Sequence, residues 1–274
     1  MDLGVLLALA GAGLAVGFLS GLVGIGGGVL IVPLLYFFYG HPSWSGVSVD
    51  PGLHAVVAHA TSLFVIVPTS ALGTWTYHRA GAVAWRAALP IAAFSMLAAV
   101  GGSLLAPLLP VPLLKLAFGL LLVFSGARLL RPGKAPEGAV RTHIAMGAVA
   151  GAAVGLLSAL LGVGGGIVAI PILVYLVGLR LDKVAATSMA IIVFTALAGA
   201  ATYAVTGAGV EGLPPGSAGY VHAAAGLPIL VGSLVAVRLG ARVNQRMGDR
   251  RLRLMFALLF LLLGLRLVVL NAGA

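Results

Sequence analysis

The sequence predicts an all-α, polytopic membrane protein made of two inverted repeats, each a broken or re-entrant hairpin followed by three transmembrane helices. Composition comes first: 61% of the 274 residues are hydrophobic and 8% charged, with a mean hydropathy of +1.17. That leaves too little polar sequence to coat a soluble globule. Run length comes second. His54 to Tyr77, Ala87 to Pro112 and Val184 to Val210 carry no charge, and each is long enough to cross a hydrocarbon layer about 30 Å thick. Duplication comes third. Gly17 to Leu35, GFLSGLVGIGGGVLIVPLL, returns at an offset of 138 as Gly155 to Leu173, GLLSALLGVGGGIVAIPIL, with ten of nineteen positions identical.

Taken in order, residues 3–38 form one apolar block of 36 residues broken at Gly24 to Gly28. That is too long for one span and short for two, which suits a longer and a shorter helix turning at the glycines. Asp2 with no Lys or Arg ahead of the apolar run argues against a signal peptide, so the segment is expected to stay as the first helix. A loop, Tyr39 to Gly52, holds the breakers His41-Pro42 and Asp50-Pro51. Spans follow at 54–77, 87–107 and 113–130, separated by a basic turn with His78, Arg79 and Arg86 and by the proline-rich Pro107 to Pro112. The polar linker Arg131 to Arg141 divides the chain. A second broken block covers 142–179, the charged turn Arg180 to Lys183 follows, and spans are expected at 184–206, 219–237 and 252–270. The repeats are thus 1–130 and 142–274 of one bundle, joined by the linker 131–141. The likeness extends to Ala60-Thr61-Ser62 with Ala186-Thr187-Ser188, Thr69 with Thr195, and Thr76-Tyr77 with Thr202-Tyr203, at an offset of 126.

Lys and Arg favour the cytoplasmic side, which orders the helices. If each broken block enters and leaves on one face, fourteen of the sixteen basic residues are cytoplasmic, only Lys115 and Arg266 falling outside. Single crossings would give seven inside and nine outside. The same-face reading puts the linker in the cytoplasm and both termini outside. It also inverts the second repeat relative to the first, a pattern that points to a transport site near the midplane. The net charge of +10 is explained by this topology rather than by nucleic acid, since the basic residues are not interleaved with aromatics.

Four glycines in five residues weaken any regular helix. In a membrane such backbone persists only when buried in protein or lining a cavity. Gly24, Gly26, Gly27 and Gly28, with Gly162, Gly164, Gly165 and Gly166, are therefore expected at the heart of a site. Each turn opens a short helix whose free N–H groups and positive dipole end suit an anion. The hydroxyls of Ser20, Ser158, Thr61, Ser62, Thr187 and Ser188 add donors without charge. The competing reading is close helix packing through small residues. All six acids, Asp2, Asp50, Glu137, Asp182, Glu211 and Asp249, fall in loops or at ends, which leaves no intramembrane carboxylate relay. His59 is the one titratable candidate for coupling. Its counterpart is Ala185, and a lone histidine at that depth is more often a satisfied interfacial residue. With no cysteine there is no thiolate chemistry, and neither metal nor cofactor is implied.

The pattern G-x-x-S-G-x-x-G-x-G-G-G followed five residues later by Pro, from Gly17 to Pro33 and again from Gly155 to Pro171, with an Ala-Thr-Ser segment after each, resembles the TauE/SafE family of membrane exporters. The likeness covers nearly the whole chain. It implies export of sulfite or a related sulfur oxyanion or sulfonate across a bacterial inner membrane, with the glycine turns, Ser20, Ser158 and the two Thr-Ser pairs as binding positions. The second copy departs in having Ala159 where the first has Gly21, and the loop of residues 39–53 has no counterpart in the second half. Expected partners are a small inorganic or organic sulfur anion and the lipid bilayer; a homodimer is left open, and no nucleic acid is expected. Two other readings stay open. Re-entrant glycine loops also build channel filters, and Ser20 with a histidine from another helix is a feature shared with intramembrane serine proteases. Against the protease, the serine is duplicated and the histidine is not, so no enzymatic activity is expected.

Overall fold

Eleven helices and one tiny hairpin make up the described part of the chain, residues 1–130 and 144–271 of a computed structural model. The linker 131–141, with Lys134, Glu137 and Arg141, lies outside the described residues. In the first half, α1 (Leu3–Val23) starts where the Asp2 carboxylate accepts from the Val5 N–H at 2.8 Å, a side-chain N-cap. It ends at Gly24, and α2 (Gly28–Gly40) follows the glycine turn. A single helical turn, α3 (Pro42–Ser45), leads to α4 (His54–Arg79), α5 (Trp85–Leu105) with a 3-10 turn at Ala106–Leu108, and α6 (Val111–Leu130). The second half repeats this as α7 (Ile144–Leu161), α8 (Gly166–Pro171) running into a π turn at Ile172–Leu176, α9 (Leu181–Thr206), α10 (Ala223–Asn244) and α11 (Asp249–Asn271). A two-stranded antiparallel hairpin, β1 (Ser217–Ala218) and β2 (Val221–His222), precedes α10.

Among the described residues, α1, α4, α5, α7, α9 and α10 are long and apolar enough to cross a membrane, and the protein is a polytopic all-α membrane protein. One expected span is corrected. Residues 219–222 belong to the hairpin and the helix expected at 219–237 runs from Ala223 to Asn244. The apolar run stops at Arg238, but the helix continues, because the exposed Arg238 and Arg242 keep their charged ends out of the packed core.

The first broken block turns back. Gly46, just beyond α3, lies against Met1, with its hypothetical Cβ 3.9 Å from the Met1 Cα, so the chain after α2 returns to the end where α1 began. In the second half the Arg128 guanidinium, at the end of α6, stacks 4.2 Å from the centre of the Tyr175 ring. The π turn after α8 therefore lies beside the end of α6.

The halves are interleaved. α1 packs along α10, and in the mirror arrangement α7 packs along α5. Helix backbones touch there because glycines remove the side chains between them: a Cβ on Gly17 would stand 2.2 Å from the Ser233 carbonyl oxygen, and one on Gly155 would stand 2.1 Å from that of Ser95. These four residues are two pairs at the repeat offset. The first glycine of each duplicated motif thus serves close packing, the role small residues take where no hydrophobic force drives helices together. α6 and α11 pair with each other, and α4 and α9 cross at the centre, 72% and 67% of their apolar windows being buried.

Candidate functional site at the paired glycine turns

The two turns fold alike. φ is 72°, 80° and 92° at Gly24, Gly26 and Gly27, and 66°, 79° and 97° at Gly162, Gly164 and Gly165. All six values lie in the left-handed region that side chains disfavour, which is the local reason for the repeated glycines. The fourth glycine of each turn answers a different need. A Cβ on Gly28 would stand 2.6 Å from the Val163 Cα and one on Gly166 would stand 2.4 Å from the Ile25 Cα. The turns therefore meet backbone to backbone, reciprocally.

That reciprocity extends outward. Gly26 and Gly164 both face the side chains of Ile66 and Ile192, midway along α4 and α9 and themselves a pair at the offset of 126. Gly24 presses on Ala185 at the start of α9, and Gly162 on His59 at the start of α4, again equivalent positions. Each turn is thus held by the central helix of the other half. Ile25 and Val163 lie where the two turns meet, because glycine lets the backbones close to contact.

The hydroxyls divide into three groups. Thr61 Oγ1 accepts from the His222 N–H at 2.9 Å, and Thr187 Oγ1 accepts from the Ala84 N–H at 3.1 Å. Both satisfy the N-cap residue of a following helix, α10 and α5 respectively. Ser62 donates to the Gly162 carbonyl at 2.8 Å, tying α4 to the second turn. Among the described residues its counterpart Ser188 has no hydrogen-bond partner, and neither do Ser20 and Ser158, although all are buried. Ser20 and Ser158 lie beside the third glycine of their own turns: the Ser20 Cβ is 3.5 Å from a Cβ on Gly27, and Ser158 Oγ is 3.4 Å from one on Gly165. Each is a buried, unused donor next to the residue that opens α2 or α8. Unmade hydrogen bonds of this kind cost about 1–3 kcal/mol each.

His59 is fully buried in the protein. Its Nε2 is hydrogen-bonded to the Tyr36 hydroxyl of α2, and its own backbone and Cβ are what Gly162 must clear. Ser20 makes no bond to it, so these two residues do not form a dyad.

Sequence reasoning overlooked the tyrosines. The Tyr77 hydroxyl donates to the Gly21 carbonyl at 2.6 Å, and that of Tyr203 to the Ala159 carbonyl at 2.9 Å. Each latches the last turn of a hairpin's long arm to a central helix. The signal was present in the duplicated Thr-Tyr pair but carried no charge or glycine to draw notice. It also explains why Ala159 is tolerated opposite Gly21, since only the carbonyl is used. Beside Gly21 a Cβ would stand 2.1 Å from the Val237 carbonyl oxygen.

Residues 9–267 match the family described as Sulfite exporter TauE/SafE. Among curated proteins, a probable membrane transporter protein of Methanocaldococcus jannaschii is 28% identical over 255 residues, covering 92% of this chain and 91% of its own length. One of Haemophilus influenzae is 27% identical over 256 residues, covering 93% and 95%, and the YunE protein of Bacillus subtilis is 25% identical over 275 residues, covering 93% and 94%. No solved structure matches the chain.

Proposed function

We propose that this chain, which belongs to the sulfite exporter TauE/SafE family and is a membrane transporter rather than an enzyme, exports a small sulfur oxyanion, sulfite or a related sulfonate, by alternating access about its two glycine turns. The observation that carries the reading is the pair of buried, unpartnered hydroxyls, Ser20 and Ser158, each set beside the helix start of its own turn. A helix start supplies N–H donors and positive potential, and two of them with two serines suit a small anion with several acceptor oxygens. The 1–130 and 142–274 halves act as inverted repeats, with the linker 131–141 in the cytoplasm and both termini outside the inner membrane. Because the turns abut, an anion enters when the halves part, and Ser188 is the donor left to replace the tie that Ser62 now makes.

The driving force on this reading is the membrane potential, worth about 2.3 kcal/mol per charge per 100 mV, since the described spanning helices hold no carboxylate beyond Asp182 at the start of α9. In proteoliposomes, sulfite flux is expected to saturate with concentration and to follow an imposed potential when pH and sodium are equal on both sides. His59→Gln is expected to keep that dependence. Flux that ignores potential and follows a pH gradient, with loss in the His59 variant, would assign coupling to His59 instead. Ohmic, non-saturating current would mark a channel.

A further inference from the structure

One cavity is lined by residues outside the glycine turns. It has a volume of about 340 Å³ and sits between the last turns of α4 and α10, lined by Trp75, Thr76, Arg79, Arg238, Arg242 and Gln245. Three guanidinium groups converge on it and none of its lining residues is a carboxylate. Among the described residues the one ion pair is Arg180 with Asp182, so these arginines gain no acidic partner in the protein. Arg79 lies 4.7 Å over the Trp75 ring, a stacking that fixes its direction. Positive residues at this end of the bundle are expected from membrane orientation alone. Orientation does not ask them to share a cavity.

The repeat provides an internal comparison. The positions equivalent to Trp75, Arg79, Arg238 and Arg242 are Ala201, Val205, Val100 and Leu104, so the same groove at the opposite end is apolar. The groove is thus part of the duplicated framework, and its charge is not. Its outer wall faces lipid. Val231 and Val235, two turns and one turn before Arg238 and on the same side of α10, are 60% and 68% exposed, and Trp75 is 51% exposed. On α4, Ala71 continues the strip one turn above Trp75. An apolar channel that ends in three arginines beside an interfacial tryptophan has the shape and polarity of an anionic phospholipid: acyl chain along the valines, phosphate among the guanidinium groups.

We propose that this cavity binds the phosphate of an anionic membrane lipid, holding the last turns of α4 and α10 together at this end of the bundle. Lipid is favoured over a free oxyanion by the exposed apolar strip that runs directly into the charged end; a soluble anion would need only the arginines.

The test uses the full chain in vesicles of phosphatidylcholine with a minor fraction of phosphatidylglycerol, extracted gently and weighed by native mass spectrometry. The protein is expected to retain phosphatidylglycerol in preference to phosphatidylcholine, and Arg238→Gln/Arg242→Gln to reduce that preference about tenfold. Arg246→Gln/Arg250→Gln removes the same charge outside the cavity and is expected to leave the preference intact. Helix content and monodispersity of each variant show that it has folded, and Arg79→Gln alone supplies a milder second variant with an intermediate loss. Equal retention of the two lipids by the unaltered protein would overturn the proposal. So would equal loss in the two double variants, which would mean diffuse charge, and so would displacement of the bound lipid by inorganic phosphate or sulfite, which would make the cavity a soluble-anion site. No arm depends on transport, so failure here leaves the reading of the glycine turns untouched.

Discussion

At the scale of single residues, glycines that look alike in sequence perform different work. Gly11 on α1 has nothing within 4 Å of its hypothetical Cβ, whereas that of Gly166 collides with the backbone of Ile25 at 2.4 Å. Gly11→Ala is therefore expected to stabilise the protein by about 0.5–1 kcal/mol, the helix-propensity gain, and Gly166→Ala to destabilise it by about 1–3 kcal/mol, the cost of overpacking a tight contact. Thermal unfolding in detergent compares the two directly; equal effects would contradict the reciprocal contact. The importance of Gly24 to Gly28 was legible because the motif recurs. That the fourth residue before each turn would be an unpartnered serine, and that the fourth glycine would face the opposite turn, depends on distances between chain segments more than a hundred residues apart, which no local pattern encodes.

At the scale of elements, the helices were legible because apolar runs and breakers alternate cleanly, and the ends blurred where arginines continue a helix past its apolar run, as in α10. The hairpins were legible from length: 36 residues fit neither one span nor two. What the sequence did not reveal is that each half's long hairpin arm packs on the other half's second span, α1 on α10 and α7 on α5. The N-terminal ends of those two spans are joined to the central helices in the same way. The hydroxyls of Thr61 and Thr187, expected among the site's donors, each accept the N–H of an N-cap residue. Thr187→Val leaves the Ala84 N–H without that acceptor and is expected to cost about 1 kcal/mol. Thr61→Val, which strands the His222 N–H, is expected to cost a similar amount. Melting temperatures that respond to only one of the two would show that the halves are not equivalent at this joint.

At the scale of the whole molecule, equivalence is broken in a few places, and these bear on how the protein works. Ser62 is bonded to the second turn while Ser188 is free, and Ser95 bonds Thr195 at 2.6 Å while its counterpart Ser233 donates to the Gly13 carbonyl instead. Exchanging such ties between halves is a natural route to a second conformation of a duplicated transporter. The loop of residues 39–53, which has no repeat partner, lies against the 207–222 segment through the Asp50 N–H to Gly212 carbonyl bond at 3.3 Å. His222 anchors that side: its Nδ1 meets the Tyr39 hydroxyl at 3.1 Å. Burial pushes the His222 pKa down from 6.5 to about 4, partly opposed by a hydrogen bond to the Pro215 carbonyl. The unfolded chain therefore takes up the proton first as pH falls. Stability is full above about pH 6.5 and declines toward about pH 4. Melting temperature is expected to drop across that window, with a shallower slope in His222→Gln; an unchanged slope would separate His222 from the effect.

The central claim is that the paired turns bind an oxyanion through Ser20 and Ser158, and calorimetric titration of sulfite into purified protein tests it most directly. Sulfate, thiosulfate and a small sulfonate serve as comparisons, and Ser20→Ala/Ser158→Ala as the variant. These hydroxyls have no partner in the protein, so their loss is expected to leave the melting temperature unchanged or raised. The account predicts saturable sulfite binding that the double variant abolishes without loss of stability. Sulfite binding that survives in a stable double variant would place the anion elsewhere and contradict it.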